Sequence, residues 1–144
     1  MITIAILKIF FFLLPAPTAT NLIEFKHATD TLLTGNFKDD YDIKYTINDT
    51  LWIQHPNAKY HIIKWNKGEQ YIIARNDKKN PGDAGLYSRI DYMRFENMQP
   101  WLWGFCLTSY NASSPEEAEK TASANRLNPK KGCNGFPFSR MKKD

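Results

Sequence analysis

From residue 36 onward, apolar and polar positions alternate with period two, and turn-forming residues break the alternation at short intervals. That is the pattern of antiparallel strands with one buried face. A first strand is expected over 36–41 and a second over 43–47, where Ile43, Tyr45 and Ile47 share a face. Asn48 and Asp49 supply turn chemistry before a strand over 50–54 carrying Trp52, and His55-Pro56-Asn57 ends it because proline cannot donate to a ladder. Over 58–65, strict alternation sets Tyr60, Ile62 and Lys64 against His61, Ile63 and Trp65. Asn66-Lys67-Gly68 forms a hairpin loop into 69–76, where Tyr71, Ile73 and Arg75 oppose Gln70, Ile72 and Ala74. The polar stretch 77–85 is longer than a hairpin needs, and loops of that kind border binding sites on rigid sheets.

The longest strand is expected over 86–96. Leu86, Ser88, Ile90 and Tyr92 face one way, and Tyr87, Arg89, Asp91, Met93 and Phe95 the other. The densest aromatic strand follows at 101–110, with Trp101, Trp103, Phe105 and Leu107 forming one apolar face. Gly104 interrupts its opposite face and marks a bulge or a close backbone approach. Beyond it, Ser113-Ser114-Pro115-Glu116-Glu117 is a helix start, with a capping serine, proline at the first helical position and glutamates in the first turn; the helix is expected to reach about residue 124. Phe136-Pro137-Phe138 then packs as a plug near one end of the sheet. Before the strands, Leu22, Phe25, Leu32 and Leu33 fall near helical spacing ahead of Gly35, and an irregular lead-in fits equally well. The count is six to seven strands, an all-β fold built as a small antiparallel up-and-down barrel or curved sheet with one short C-terminal helix.

The N-terminus adds a location. Residues 1–14 are apolar apart from Thr3 and Lys8 and run into Pro15-Ala16-Pro17-Thr18-Ala19, which reads as a secretory signal peptide over 1–19 rather than a membrane span. A lead-in over 20–35 and a single domain over 36–144 complete the layout, and a secreted or periplasmic location is expected. In an oxidising compartment the two cysteines, Cys106 and Cys133, are expected to form a disulfide that ties the tail to the aromatic strand. With 144 residues, the chain can build one core.

Net charge is +4, and the late cations Arg126, Lys130, Lys131, Arg140, Lys142 and Lys143 read as a solvated tail. No nucleic-acid-binding motif accompanies them, so no nucleic-acid partner is expected.

Several segments resemble a group of small exported proteins of uncharacterised function: Tyr60-His61-Ile62-Ile63-Lys64-Trp65, Ile72-Ile73-Ala74-Arg75-Asn76-Asp77, Leu86 to Tyr92, and Gly132-Cys133-Asn134-Gly135-Phe136-Pro137-Phe138. That resemblance implies no activity. More broadly, the chain resembles lipocalin- and avidin-like barrels of the calycin type, in which a Gly-x-Trp on the first strand packs against a late arginine. Gly35-Asn36-Phe37 and Arg89 would occupy those places, with phenylalanine for tryptophan.

Chemical signatures are sparse. There is no nucleophile elbow, Walker loop, dinucleotide fingerprint or metalloprotease helix, and His27, His55 and His61 are not spaced as metal ligands. No cofactor and no metal is expected, and a hydrolase assembled from His61, Asp91 and Tyr87 ranks third among the functional readings. Arg75 and Arg89 stand on strands among aromatics. Each is either a structural arginine, stacked on Phe37, Trp52 or Trp65 and paired with Asp91 or Asp77, or the group that meets the polar head of a ligand. The first reading of function is a non-catalytic binding protein for a small apolar or amphipathic ligand in an aromatic-lined barrel, with Trp65, Tyr71, Arg75, Tyr87, Arg89 and Trp103 as its site. The alternative is a protein or glycan interaction module that uses its outer face. Asn48-Asp49-Thr50 and Asn111-Ala112-Ser113 are glycosylation acceptors in a eukaryotic secretory pathway.

Overall fold

The computed structural model describes residues 29–144. The signal peptide and most of the lead-in expected from the sequence lie outside the described residues. A 3-10 turn (Thr31–Leu33) precedes eight strands: β1 (Gly35–Asp39), β2 (Lys44–Ile47), β3 (Leu51–Gln54), β4 (Ala58–Asn66), β5 (Tyr71–Asn76), β6 (Tyr87–Arg94), β7 (Trp103–Ala112) and β8 (Ser139–Lys143). Every strand pairs antiparallel with its chain neighbour, and β8 returns to β1, so the sheet is a closed barrel. Closure removes both free edges, which an open sheet would expose to pairing with other chains.

The strand count is therefore eight, not six to seven. The extra strand is Ser139–Lys143, within the basic segment that the charge pattern assigned to a solvated tail. It bonds β7 through Trp103↔Met141 and Phe105↔Ser139, and β1 through Phe37↔Lys143 and Asp39↔Met141. Met141, its one apolar residue, is fully buried in the core. A strand of five residues with a single inward apolar side chain has almost no alternation to reveal it.

A second difference sits in β4. The pairing with β5 slips between Ile62 and Lys64, so Ile62 pairs with Ala74 but Lys64 pairs with Ile73. This bulge leaves Ile63 54% exposed and changes which residues face inward. Tyr60, Ile62 and Trp65 all pack into the core, a set that strict alternation divides between two faces. The hydrophobic pull on a tryptophan, a few kcal/mol for a side chain of that size, outweighs the cost of one unpaired strand residue.

The core fills the barrel with Leu33, Phe37, Tyr45, Ile47, Trp52, Trp65, Ile72, Ile90, Tyr92, Trp103 and Met141. The helix α1 (Pro115–Lys120) is shorter than expected. Ser114 caps it through the Glu117 N–H, with Pro115 at its start, as the sequence indicates. It packs on the outer wall, setting Ala118 against Tyr71 and Ile73. The connection from α1 to β8 stays on that wall. The disulfide Cys106–Cys133 fixes it, with Phe138 buried beside the bridge and Phe136 exposed.

Candidate functional site

The barrel axis is occupied by the protein's own rings. Trp52 on β3 meets Trp103 on β7 edge to face at 5.8 Å, although those strands stand on opposite sides of an eight-stranded barrel. Phe37 touches Trp103 at 5.1 Å, Phe105 touches Trp52 at 5.1 Å, and Tyr45 touches Phe105 at 5.6 Å. Edge-to-face rings at these distances are mutually stabilising beyond their burial. The polar groups of this layer are mostly satisfied from within. The Tyr45 hydroxyl donates to buried Asp39, and burial followed by that carboxylate pushes the phenol far up. Asp39 also accepts the N–H groups of Tyr41 and Ile43, which fixes the β1–β2 turn. Asp30, ahead of β1, is buried, and both its carboxylate oxygens accept from Arg94 Nη2 at 2.6 Å, with one of them also accepting from the Tyr92 hydroxyl at 3.3 Å.

The outer wall under α1 carries a second polar system. Arg89 and Asp91 project outward from β6, and Asp91 is fully buried by the connection above it. Arg89 reaches Asp91 at 3.1 Å, donates to the Glu119 carbonyl at 2.7 Å and lies 4.1 Å over the Tyr71 ring. Arg126 comes down from the connection to Asp91 at 3.2 Å and to the carbonyls of Tyr92 and Gln70. Thr108 donates to the same carboxylate. Glu119 accepts from both Lys64 and Tyr71, and these bonds, Lys64 first, hold its carboxyl below the ordinary range. Two guanidiniums and a hydroxyl around one buried carboxylate form a structural clamp: removal of the carboxylate would strand two cations.

The six residues that the sequence offers as one ligand site are thus divided. Trp65 and Trp103 are inside the barrel, whereas Tyr71, Arg75, Tyr87 and Arg89 are outside. Arg89 fits the structural reading, paired with Asp91 but stacked on Tyr71. Arg75 is exposed, 5.9 Å over the Tyr87 ring. The cation over Phe37 is Lys143, at 4.1 Å, not Arg89. His61 does not meet Asp91; its partner is Asp77, at 2.7 Å.

A cavity of about 400 Å³ opens instead on the outer wall, where the end of β6 and the loop after it, the start of β8 and the β1–β2 turn with Asp40 and Tyr41 meet the connection. Met93, Phe95, Met98, Phe138 and the prolines Pro129 and Pro137 give it an apolar floor, and Lys130 and Arg140 stand at its rim. Gly104 makes this floor possible. A side chain there would come within 2.8 Å of the Phe95 ring and 3.2 Å of the Ser139 carbonyl, so glycine leaves room for the tip of the Phe95 ring against β7. Arg140 is bound to Asp40 at 2.8 Å and leans over Trp101 at 4.6 Å, while Lys130 has no carboxylate within 4.0 Å among the described residues. The sequence signals Gly104 as a close approach. The floor itself is not readable, because Met93, Met98 and Phe138 come together only through the disulfide-tied connection.

The molecule is an antiparallel eight-stranded closed barrel with one short helix and a stapled outer connection. No family model, curated protein or solved structure matches the chain. No helix among the described residues is long and apolar enough to cross a membrane.

Proposed function

We propose that this is an exported, non-catalytic binding protein for a small amphipathic ligand with an anionic head, held in the groove on its outer wall. One observation carries the reading: a cavity of about 400 Å³ with a thioether- and ring-lined floor, bordered by the Lys130 ammonium, which has no carboxylate within 4.0 Å among the described residues. That volume is in the range of small-molecule sites, and an apolar floor with few polar groups is their usual composition. Methionines adapt to irregular apolar shapes, which suits a hydrocarbon tail. The barrel axis is a poorer candidate, since rings from opposite walls are already in contact there.

Export rests on the apolar N-terminus and is consistent with the disulfide, because such bonds persist in oxidising compartments. The lipocalin-type likeness belongs to the same proposal. Closure with eight strands is the count those barrels use. The departure is in where the ligand sits, outside the barrel and not within it.

The test uses 8-anilinonaphthalene-1-sulfonate, an apolar anion whose fluorescence reports burial. The expected result is saturable one-site binding to the disulfide-intact protein, weakened at least about tenfold in Met98→Glu and in Lys130→Glu, a loss of the order set by one apolar contact or one charge-assisted bond. Both residues are exposed, so the fold should survive. Equal binding by the parent and both variants would refute the reading.

A further inference from the structure

We propose that the outer wall at the β4–β5 end of the barrel is a second, independent site, one that takes an oxyanion of the phosphate or sulfate-ester type. Two hollows of about 470 and 480 Å³ adjoin there and share Asp77 and Lys79. Their walls carry Lys59, Arg75, Lys78 and Lys79 against a single carboxylate, Asp77. None of the four cations has a carboxylate within 4.0 Å among the described residues. Like charges crowded in one place repel, and the repulsion is relieved when an anion is shared among them.

The one acid present offsets only one of those four positive charges, and both of its oxygens are already engaged. Oδ1 accepts the Lys79 N–H at 2.8 Å, and Oδ2 holds the His61 ring nitrogen at 2.7 Å. His61 and Arg75 are cross-strand partners on the outer face, so the imidazole and guanidinium stand side by side above the hollow. Arg75 is free to turn its fork toward a ligand; its neighbour is the Tyr87 ring, at 5.9 Å, and not a carboxylate.

The lysines, too, are carried on a fixed backbone. Asn80 accepts from the Lys59 N–H and donates to the Lys59 carbonyl, each at 2.8 Å, and the Asp77 N–H donates to that same carbonyl at 2.9 Å. Asn76 reaches the carbonyls of Asp83 and Tyr110 at 2.8 Å, which pins the far side of the loop. Loop 77–85 is therefore tied to β4 and β7, so the backbone that carries Lys59, Lys78 and Lys79 is held in place before any ligand arrives. Such preorganisation reduces the entropic cost of binding. The tetrahedral oxygens of a phosphate or sulfate ester match several converging N–H donors better than a planar carboxylate does.

The test is an amide-shift NMR titration with sodium phosphate, and separately with a sulfated disaccharide, at constant ionic strength held with sodium chloride. Expected are saturable shifts confined to Lys59, His61 and residues 75–80, with the apparent Kd at least about tenfold weaker in Arg75→Gln/Lys79→Gln. Preference for one titrant identifies the ester. A second pair, Lys78→Gln/Lys79→Gln, should weaken binding likewise, whereas Lys130→Glu in the outer groove should leave it unchanged. Linear, unsaturating shifts spread over all surface lysines would overturn the proposal, as would unaltered binding in both double variants.

Discussion

Asp30 shows how one carboxylate can set the sign of a pH dependence. Burial pushes its carboxyl up, but bonds from Arg94 and the Leu32 N–H, with the Arg94 charge, outweigh burial and hold it below its ordinary value near 3.8. A carboxyl depressed in the folded state contributes stability that is fully present above its unfolded value and is lost as pH falls through the folded one. In Arg94→Met the burial and the Leu32 bond remain while the Arg94 bonds and charge are gone, so the carboxyl rises and its contribution to stability shrinks. The parent should exceed this variant in unfolding free energy by about 1–3 kcal/mol at neutral pH, a figure discounted because the Arg94 side chain is 46% exposed. Urea unfolding from pH 2.5 to 6 should show the gap closing below about pH 4; a gap independent of pH would mean that Arg94 acts by packing alone. The Asp91 clamp makes a sharper contrast with surface pairs. Asp91→Ala strands Arg89 and Arg126 and should cost roughly 3–5 kcal/mol. Lys44→Ala, which breaks an exposed pair with Asp144, should cost under about 1 kcal/mol. Similar losses for the two would show that the buried carboxylate is not the centre of the clamp.

At the scale of elements, the connection from α1 to β8 builds both the helix-covered wall and the groove, and it is fixed by few long-range ties. The Cys106–Cys133 bond spans 27 residues, which corresponds to roughly 3–4 kcal/mol in the chain-entropy account. Cys106→Ser/Cys133→Ser should therefore lower Tm by many degrees and, with the connection loosened, abolish anilinonaphthalene binding in the groove. An unchanged Tm would assign the stability to the Arg126 clamp and not to the bridge. Two glycines separate stability from site shape. A Cβ at Gly132 would fall 1.9 Å from the Asn125 carbonyl, so Gly132→Ala must displace backbone and destabilise strongly. At Gly104 the nearest atom is the tip of the Phe95 ring, which can swing aside. Gly104→Ala should consequently reshape the groove floor, with weaker binding and a smaller loss in Tm; the opposite ranking in thermal melts would contradict both assignments. The sequence carries the Gly104 signal and the cysteine pair, because each is a local departure from pattern, and gives no such sign for Gly132. It does not carry the Met93–Met98–Phe138 floor, whose members are distant in sequence and assembled only by the staple.

For the whole molecule, what alternation can reveal ends where strands become too short or irregular to alternate. β5 and β6 are legible from their faces, since each carries apolar residues inside and Arg75 or Arg89 outside. The Ile62–Lys64 bulge is silent, because a slip in pairing leaves no mark in composition. β8 is silent for another reason: Ser139-Arg140-Met141-Lys142-Lys143 is mostly cationic, and its backbone bonds to two neighbours, not its side chains, place it in the barrel. Yet this strand closes the sheet. A chain ending at Phe138 would leave the outer edges of β1 and β7 unpaired, open the core at Met141 and withdraw Lys143 from the Phe37 ring. Burying the methionine is worth about 1.5–3 kcal/mol, and several ladder bonds would be lost with it. Exposed edges also pair with other chains. The truncated chain should thus unfold at lower denaturant, with a blurred transition, and elute as dimers or larger species whose amount rises with concentration. Met141→Ala in the full chain separates the two effects, because it removes the buried side chain and keeps the strand. It should lower the denaturation midpoint while the protein elutes as the parent does. If the truncated chain instead remains like the parent in both midpoint and elution, the barrel does not depend on its last strand for closure.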